Sequence, residues 1–212
     1  MRILWVVAVP REAEALRDAG GEVVVAGIGR TNAACATTET LLRRGPFDAV
    51  VSAGIAGSLP GSGLAIGELV VATACVYAEE GLAAPDGFHD VAALRFPLGD
   101  FPGNAVPVEA ALAAVAPAGS RRGAIATVAT CSGTDAAAEE VARRTGALAE
   151  AMEGAAVVHA ARRLGVPAAE VRAISNSTGE RPMQRWDLAA AFTSLARLRV
   201  PAGPLPGVRT PS

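Results

Sequence analysis

Short runs rich in Val and Ile alternate along this chain with longer segments of helical pattern. The apolar runs predict six strands, at residues 3–9, 22–28, 49–53, 68–77, 124–128 and 171–175. The longer patterns predict six helices, at residues 11–19, 32–44, 108–115, 135–145, 152–164 and 186–198. Several strands are apolar on both faces, as in a sheet that helices cover on both sides. The sequence therefore predicts an α/β fold with a sheet between helical layers.

The length and composition favour one domain with a sizeable core. The chain has 212 residues, of which 51% are hydrophobic, and it contains no internal repeat or interior linker. We expect residues 1–200 to form a single domain and the Pro-rich tail, residues 201–212, to be disordered. Residues 79–107 are rich in Gly and Pro and predict a long loop, of the kind that is usually functional or mobile.

The charged and metal-binding residue types exclude several classes of protein. All 19 basic residues are arginine, so Schiff-base catalysis, a pyridoxal-phosphate anchor and a Walker A loop are excluded. The net charge of −2 is scattered, which argues against nucleic acid or an anionic membrane as a partner. Three separate cysteines and two histidines do not make a usual zinc site. We expect no metal and no cofactor.

The amino-terminal apolar run does not predict export or membrane insertion. Residues 3–9 are too few to span a bilayer and lead directly into Pro10, Arg11 and Glu12. We therefore expect a cytoplasmic protein.

Two polar segments follow the first two predicted strands, where sites form in open α/β sheets. Glu12, in the segment 10–14, is either a general base or a first-turn residue that complements the helix dipole. The glycine-rich turn at residues 27–32 can bind an anion, but Asn32 stands where a dinucleotide fingerprint requires glycine.

Two further segments combine small residues with few polar ones. Residues 52–58 permit close approach of a ligand to the backbone, or form a tight turn from strand to loop. In residues 151–156, Glu153 beside Met152 either accepts hydrogen bonds from sugar hydroxyls or is an ordinary first-turn glutamate beside a core methionine.

The last polar segment, residues 172–176, lies in an otherwise apolar strand. Alternation along the strand predicts that Arg172, Ser175 and Asn176 share one face. Buried polar groups need partners, so packing alone explains this trio poorly. A functional and a structural role remain equally open from the pattern.

Four motifs, in their order along the chain, resemble the purine nucleoside phosphorylase and nucleosidase superfamily. They are GIGRTNAA, SAGIAGSL, AMEGAA and RAISN, and the resemblance extends from residue 1 to about residue 192. The most similar members are methylthioadenosine/adenosylhomocysteine nucleosidases and futalosine hydrolases. The resemblance implies a three-layer αβα sandwich with a central twisted mixed sheet. It also implies a homodimer that cleaves the N-glycosidic bond of a purine nucleoside.

The same resemblance implies roles for individual residues. Glu12 matches the carboxylate that activates water, and Arg172 matches an arginine near that water. Glu153 matches the carboxylate that binds the ribose hydroxyls, with Met152 packed against the sugar. Asn176 occupies the position of the acid that protonates the purine N7. The segment that lines the base corresponds to Thr130, Cys131 and Ser132.

Three departures from the superfamily pattern narrow the range of expected nucleophiles and substrates. Phosphorylases hold phosphate with an arginine where this chain has Ser52, so water is the expected nucleophile. Ile55 replaces the serine found in adenosine-type nucleosidases and is expected to contact substrate. Asn176 replaces aspartate, and its amide NH₂ suits the two acceptors N7 and O6 of a 6-oxopurine.

The expected reaction is that of a futalosine hydrolase, which releases hypoxanthine in an alternative menaquinone pathway. The stretch RAISNSTGER, followed by Arg185 and Trp186, also resembles that group. Futalosine carries a carboxylated aromatic group, which an arginine would suit, but the sequence does not indicate which one. Two alternatives remain: a methylthioadenosine/adenosylhomocysteine nucleosidase, or a non-catalytic nucleotide-binding module.

Overall fold

The structure is a computed structural model that describes residues 1–206 and 208. Within these residues the strands are β1 (Ile3–Val7), β2 (Glu22–Val25), β3 (Ala49–Ser58), β4 (Leu69–Tyr77), β5 (Gly81–Ala84), β6 (Gly87–Asp90), β7 (Ala105–Pro107), β8 (Arg121–Thr127), β9 (Ala149–Ala151) and β10 (Ala168–Ser177). The α-helices are α1 (Pro10–Ala15), α2 (Arg30–Arg44), α3 (Asp135–Thr145), α4 (Gly154–Arg163) and α5 (Leu188–Leu195). Two 3₁₀ helices span Ala110–Val115 and Arg181–Met183.

Eight of these strands form one mixed sheet. Its order is β10-β4-β8-β9-β3-β1-β2, β10 also pairs with β3, and β7 pairs with β4. The pairs β1–β2, β1–β3, β3–β10, β4–β8 and β8–β9 are parallel, whereas β3–β9, β4–β7 and β4–β10 are antiparallel. The strands β5 and β6 form a separate antiparallel hairpin.

The two faces of the sheet carry separate apolar clusters. Along β1, Leu4 and Val6 belong to the cluster that includes residues of α2 and α4. Ile3 and Trp5 point the other way, into the cluster that includes residues of α5. This period of two gives each strand two buried faces. The predicted three-layer αβα sandwich with a mixed sheet is confirmed.

Strand β3 differs most from its prediction. The sequence predicts a strand that ends at residue 53 and a glycine-rich turn, but the strand continues to Ser58. Its second half pairs with β10 on one side and β9 on the other, so its backbone groups remain in the sheet. Gly54 and Gly57 are needed there because side chains from neighbouring elements cross directly over them.

Other differences concern short elements. Residues 79–107, predicted as a loop, contain the β5–β6 hairpin and β7, and the predicted helix at 108–115 is a 3₁₀ helix. The three-residue strand β9 has no counterpart in the prediction. Part of the predicted disordered tail, residues 207 and 209–212, lies outside the described residues. Within the described part, Val208 is buried and Leu205 packs against the same core cluster.

No helix in the described part of the chain is long and apolar enough to cross a membrane.

Candidate active site

A cavity of about 530 Å³ opens where β1, β3 and β10 end and where α1 and α4 begin. Seven predicted site residues line it, namely Glu12, Ile55, Cys131, Ser132, Met152, Glu153 and Asn176. Two others lie outside its lining: Arg172 is buried behind Glu153, and Thr130 is exposed on the loop after β8. The carboxyl ends of neighbouring strands therefore bring together segments that are far apart in sequence.

Glu12 is held by three backbone N–H groups. Its Oε2 accepts hydrogen bonds from the N–H groups of Ala8 at 2.8 Å and Val9 at 3.2 Å. Its Oε1 accepts one from the N–H of Ile55 at 3.0 Å. The side chain is only 2% exposed although it lines the cavity. The first turn of α1 and the middle of β3 thus fix the carboxylate in one orientation.

Glu153 faces the cavity and joins a buried ionic network. Its Oε1 accepts a hydrogen bond from the N–H of Gly29 at 3.0 Å, in the glycine-rich turn that precedes α2. Its Oε2 lies 3.3 Å from Nη1 of Arg172, and Nε of Arg172 donates to Oε1 of Glu170 at 2.8 Å. A sugar hydroxyl in the cavity would therefore meet a carboxylate whose position is already fixed.

Arg172 is buried beneath the cavity wall and pairs with both Glu153 and Glu170. Burial opposes its charge, but the carboxylates of Glu170, Glu153 and Glu12 keep the pKa of Arg172 above its usual value. Burial raises the pKa of Glu170, whose partner is Arg172. Nη2 of Arg172 donates to Ser52 Oγ at 3.0 Å. Ser52 is fully buried and does not line the cavity, so its hydroxyl is used in an internal hydrogen bond.

Asn176 lies at the cavity end of β10, beyond an irregularity in the strand. The register against β3 shifts between Ile174 and Asn176, so Arg172 pairs with Gly54 whereas Asn176 pairs with Gly57. Gly54 and Gly57 are three residues apart on β3, so their partners Arg172 and Asn176 point to opposite faces of the sheet. The bulge therefore separates Asn176 from the face of Arg172. Ser175, which is adjacent to Asn176 and three residues from Arg172, cannot share a face with both by alternation, so the prediction that all three share one face is wrong.

The Asn176 amide has defined partners. Its Oδ1 accepts a hydrogen bond from Ser175 Oγ at 2.8 Å, and its Nδ2 donates to the carbonyl of Ser177 at 2.9 Å. An amide nitrogen carries two hydrogens, so one N–H remains for a ligand. The residue is 6% exposed and lines the cavity.

The remaining predicted residues complete the wall. Met152 and Ile55 are partly buried apolar side chains beside the two carboxylates. Cys131 and Ser132 belong to the loop that follows β8, and burial together with the nearby Glu150 and Glu153 raises the pKa of Cys131 to about 11. The Cys131 thiol is therefore a neutral wall group rather than a nucleophile.

The sequence analysis missed two polar groups of the wall. Glu150 accepts hydrogen bonds from both the N–H and the hydroxyl of Ser132, at 2.7 and 2.6 Å. Gln184 donates to the carbonyl of Ser132 at 3.0 Å, and its Oε1 accepts from Arg181 and Trp186. Glu150 lies in a three-residue strand, too short for a pattern to reveal. Gln184 follows a 3₁₀ helix that the sequence does not predict.

The described residues include no cluster of three or more His, Cys, Asp or Glu side chains that could hold a metal ion.

Comparison with known proteins places the chain among nucleoside-cleaving enzymes. Residues 14–199 match the phosphorylase superfamily. A futalosine hydrolase of Streptomyces coelicolor is 39% identical over 181 residues, which are 83% of this chain and 75% of that protein.

Solved structures of enzymes with two related activities have the same fold as this chain. A methylthioadenosine/S-adenosylhomocysteine nucleosidase of Helicobacter pylori has a TM-score of 0.74 and 24% identity, over 92% of this chain and 94% of the other. A futalosine hydrolase of the same organism has a TM-score of 0.74 and 23% identity, with the same coverage of each chain. The fold therefore does not distinguish the two activities.

Proposed function

Because this chain belongs to the futalosine hydrolase family of the phosphorylase superfamily, we propose that it hydrolyses the N-glycosidic bond of futalosine. The products are hypoxanthine and dehypoxanthine futalosine, an intermediate of menaquinone biosynthesis. The observation that carries the proposal is one cavity that the carboxylates of Glu12 and Glu153 and the amide of Asn176 line together. Hydrolysis of this bond needs a base for water, an anchor for the sugar and a donor to the leaving purine.

Glu12 takes the proton of the attacking water. Its three N–H partners fix both oxygens: Oε2 accepts from Ala8 and Val9 and Oε1 accepts from Ile55, so Oε1 retains one acceptor site. As the glycosidic bond breaks, positive charge develops on the ribose, and a fixed carboxylate stabilises it without reorganisation. The Glu12 carboxylate then completes the attack by accepting the proton as water bonds to C1′.

Glu153 binds the ribose hydroxyls, and Arg172 positions it. Gly29 donates to Oε1 of Glu153 and Arg172 pairs with Oε2, so each oxygen keeps one acceptor site for a sugar hydroxyl. Met152, which follows β9, supplies an apolar surface for the ribose. Ile55, in the neighbouring strand β3, is a second apolar residue of the cavity wall. Arg172 acts through Glu153 and Glu12, because it is buried behind the cavity wall.

Asn176 donates to the leaving purine. Its free N–H suits the N7 and O6 acceptors of hypoxanthine, onto which negative charge spreads as the bond breaks. The exocyclic amino group of adenine would instead meet this donor. The leaving hypoxanthine anion takes up a proton from solvent, and Glu12 later releases the proton of the attacking water to solvent, so the hydrolysis balances. Cys131 and Ser132 flank the base in this arrangement.

Water is the nucleophile in this proposal. The candidate phosphate position, Ser52, is buried and bonded to Arg172, while Glu12 is present to activate water. Phosphorolysis would require a cationic group at that position.

The active unit is a cytoplasmic homodimer. Apolar side chains at the mouth of the cavity support this, since Ile28 is 59% exposed and Trp186 is 47% exposed. Exposed apolar groups around a polar site are typical of surfaces that a partner covers.

The direct test is a base-release assay on purified protein. Futalosine, inosine, methylthioadenosine and adenosylhomocysteine are compared at equal concentration. The proposal expects futalosine to be cleaved with the highest kcat/KM. Faster release of adenine from methylthioadenosine would assign the chain the activity of the related nucleosidases instead.

A further inference from the structure

Glu150 and Asn176 lie in one row across the sheet, with Gly57 between them. Gly57 of β3 pairs with Asn176 of β10 on one side and with Glu150 of β9 on the other. Directly paired residues point to the same face, and neighbouring strands lie about 4.8 Å apart. The two polar side chains therefore rise from the same face, with their backbones about 10 Å apart.

Gly57 has no side chain in this row, which lets side chains of the neighbouring segment lie close over its backbone. A Cβ atom at this position would lie 3.1 Å from Nδ2 of Asn176 and 2.8 Å from Cγ2 of Thr178. A side chain at position 57 would therefore displace the Asn176 amide, so glycine keeps this donor in place, in the row that also holds the Glu150 carboxylate. Both side chains line the same cavity.

The Glu150 carboxylate has acceptor capacity that the protein does not use. It is 4% exposed, and its two oxygens accept one hydrogen bond each, both from Ser132. A carboxylate has about four acceptor sites, so about two remain. Among the ion pairs of the described residues none involves Glu150, and burial raises its pKa. A buried carboxylate without a cation is costly unless another donor satisfies it.

We infer that Glu150 recognises the N1–H of a 6-oxopurine base, which lies beside O6 on the side away from N7, while Asn176 faces the N7/O6 edge. This inference rests on the proposed function. In hypoxanthine N1 carries a hydrogen, whereas in adenine N1 is an acceptor. A carboxylate at N1 therefore attracts the first base and repels the second. Ser132 is the positioning residue that aims Glu150, through its N–H and its hydroxyl.

Glu150 adds a second discrimination to that of Asn176. Both purines present an acceptor at N7, so Asn176 distinguishes them only through position 6, whereas Glu150 distinguishes them through position 1. Only positions 1 and 6 exchange donor and acceptor between the two. A site that hydrogen-bonds the correct group rejects an analogue that leaves buried polar groups unpaired.

The test compares two substrates that differ only at positions 1 and 6, futalosine and its 6-amino analogue. We expect Glu150→Gln to lower kcat/KM for futalosine by about tenfold to a hundredfold and to shift the substrate ratio at least about tenfold toward the analogue. The Gln amide accepts from Ser132 and donates to the adenine N1. Glu139→Gln, an exposed change on α3, serves as the matched control and leaves the ratio unchanged.

A second measurement on the unmodified enzyme covers the case in which the variant does not fold. Product inhibition by hypoxanthine should be at least about tenfold stronger than inhibition by adenine or by 1-methylhypoxanthine, which lacks the N1 hydrogen. Equal inhibition by hypoxanthine and 1-methylhypoxanthine, or an unchanged substrate ratio in folded Glu150→Gln, overturns the role of Glu150. Either result leaves the proposed hydrolysis standing if wild-type protein cleaves futalosine. A wild-type protein that releases no hypoxanthine refutes the proposed function itself.

Discussion

Glu12 and Arg172 approach each other across Gly54 of β3. A Cβ atom at position 54 would lie 2.5 Å from Oε1 of Glu12 and 2.6 Å from Nη1 of Arg172. Only glycine permits this approach, because any side chain at position 54 would occupy the space between the carboxylate and the guanidinium. The same Nη1 atom lies 3.3 Å from Oε2 of Glu153, so one buried arginine pairs with one cavity carboxylate and acts on the other, Glu12, through its charge alone.

Replacing Glu12 by glutamine tests its role as the base. The amide cannot accept the water proton, so we expect kcat to fall by about 10²–10⁴-fold while KM changes little. Steady-state kinetics on futalosine measure this, with a melting curve to show that the variant folds. Glu14→Gln, an exposed change two residues along α1, should behave as wild type. Near-wild-type kcat in Glu12→Gln would exclude Glu12 as the base.

Replacing Glu153 by glutamine should affect both kinetic constants. The carboxylate holds the sugar in the ground state and stabilises the charge that develops later, so we expect a higher KM and a lower kcat. The protein should still fold, because Arg172 keeps its 2.8 Å hydrogen bond to Glu170. A change in kcat with an unaltered KM would argue against sugar binding by Glu153.

Replacing Asn176 by aspartate should change the preferred base. Asp has no N–H for the Ser177 carbonyl, so one of its oxygens faces that acceptor and favours the protonated acid. We expect kcat/KM for futalosine to fall by about tenfold to a hundredfold and the ratio to shift toward adenine nucleosides. The absolute kcat/KM for adenine nucleosides should stay low, because Ile55 still stands where the sequence comparison with adenosine-type nucleosidases expects a serine. An unchanged preference would show that Asn176 does not contact the base.

Light scattering tests the proposed homodimer. The monomer mass is 21.3 kDa, and we expect twice that value at micromolar concentration. A stable interface should bury more than roughly 1,000 Å² in total. A monomeric mass in a fully active sample would contradict the proposal.

The sequence predicts the layers of the fold because each depends on local periodicity. Strand β1 has Val and Ile on both faces and α3 has a Thr134 cap, so both elements are evident from a few residues. The carboxyl-end rule likewise predicts that Glu12, Glu153 and Asn176 converge. These features require no knowledge of which strands pair.

Features that depend on which strands pair could not be predicted from the sequence. Gly54 and Gly57 resemble turn glycines until the side chains that cross them are known. The bulge before Asn176 reverses its face, and it becomes visible only from the register against β3. Glu150 lies between two alanines in β9, where three residues are too few to show alternation.

Product analysis after incubation with futalosine in phosphate buffer tests the central claim most directly. Ser52 is buried against Arg172 and Glu12 is held at the cavity wall, so water should attack C1′ even when phosphate is abundant. We expect hypoxanthine and the free sugar in equal amounts, at a rate that phosphate does not change. A sugar 1-phosphate as the main product, or no release of hypoxanthine, would contradict hydrolysis of a 6-oxopurine nucleoside by this site.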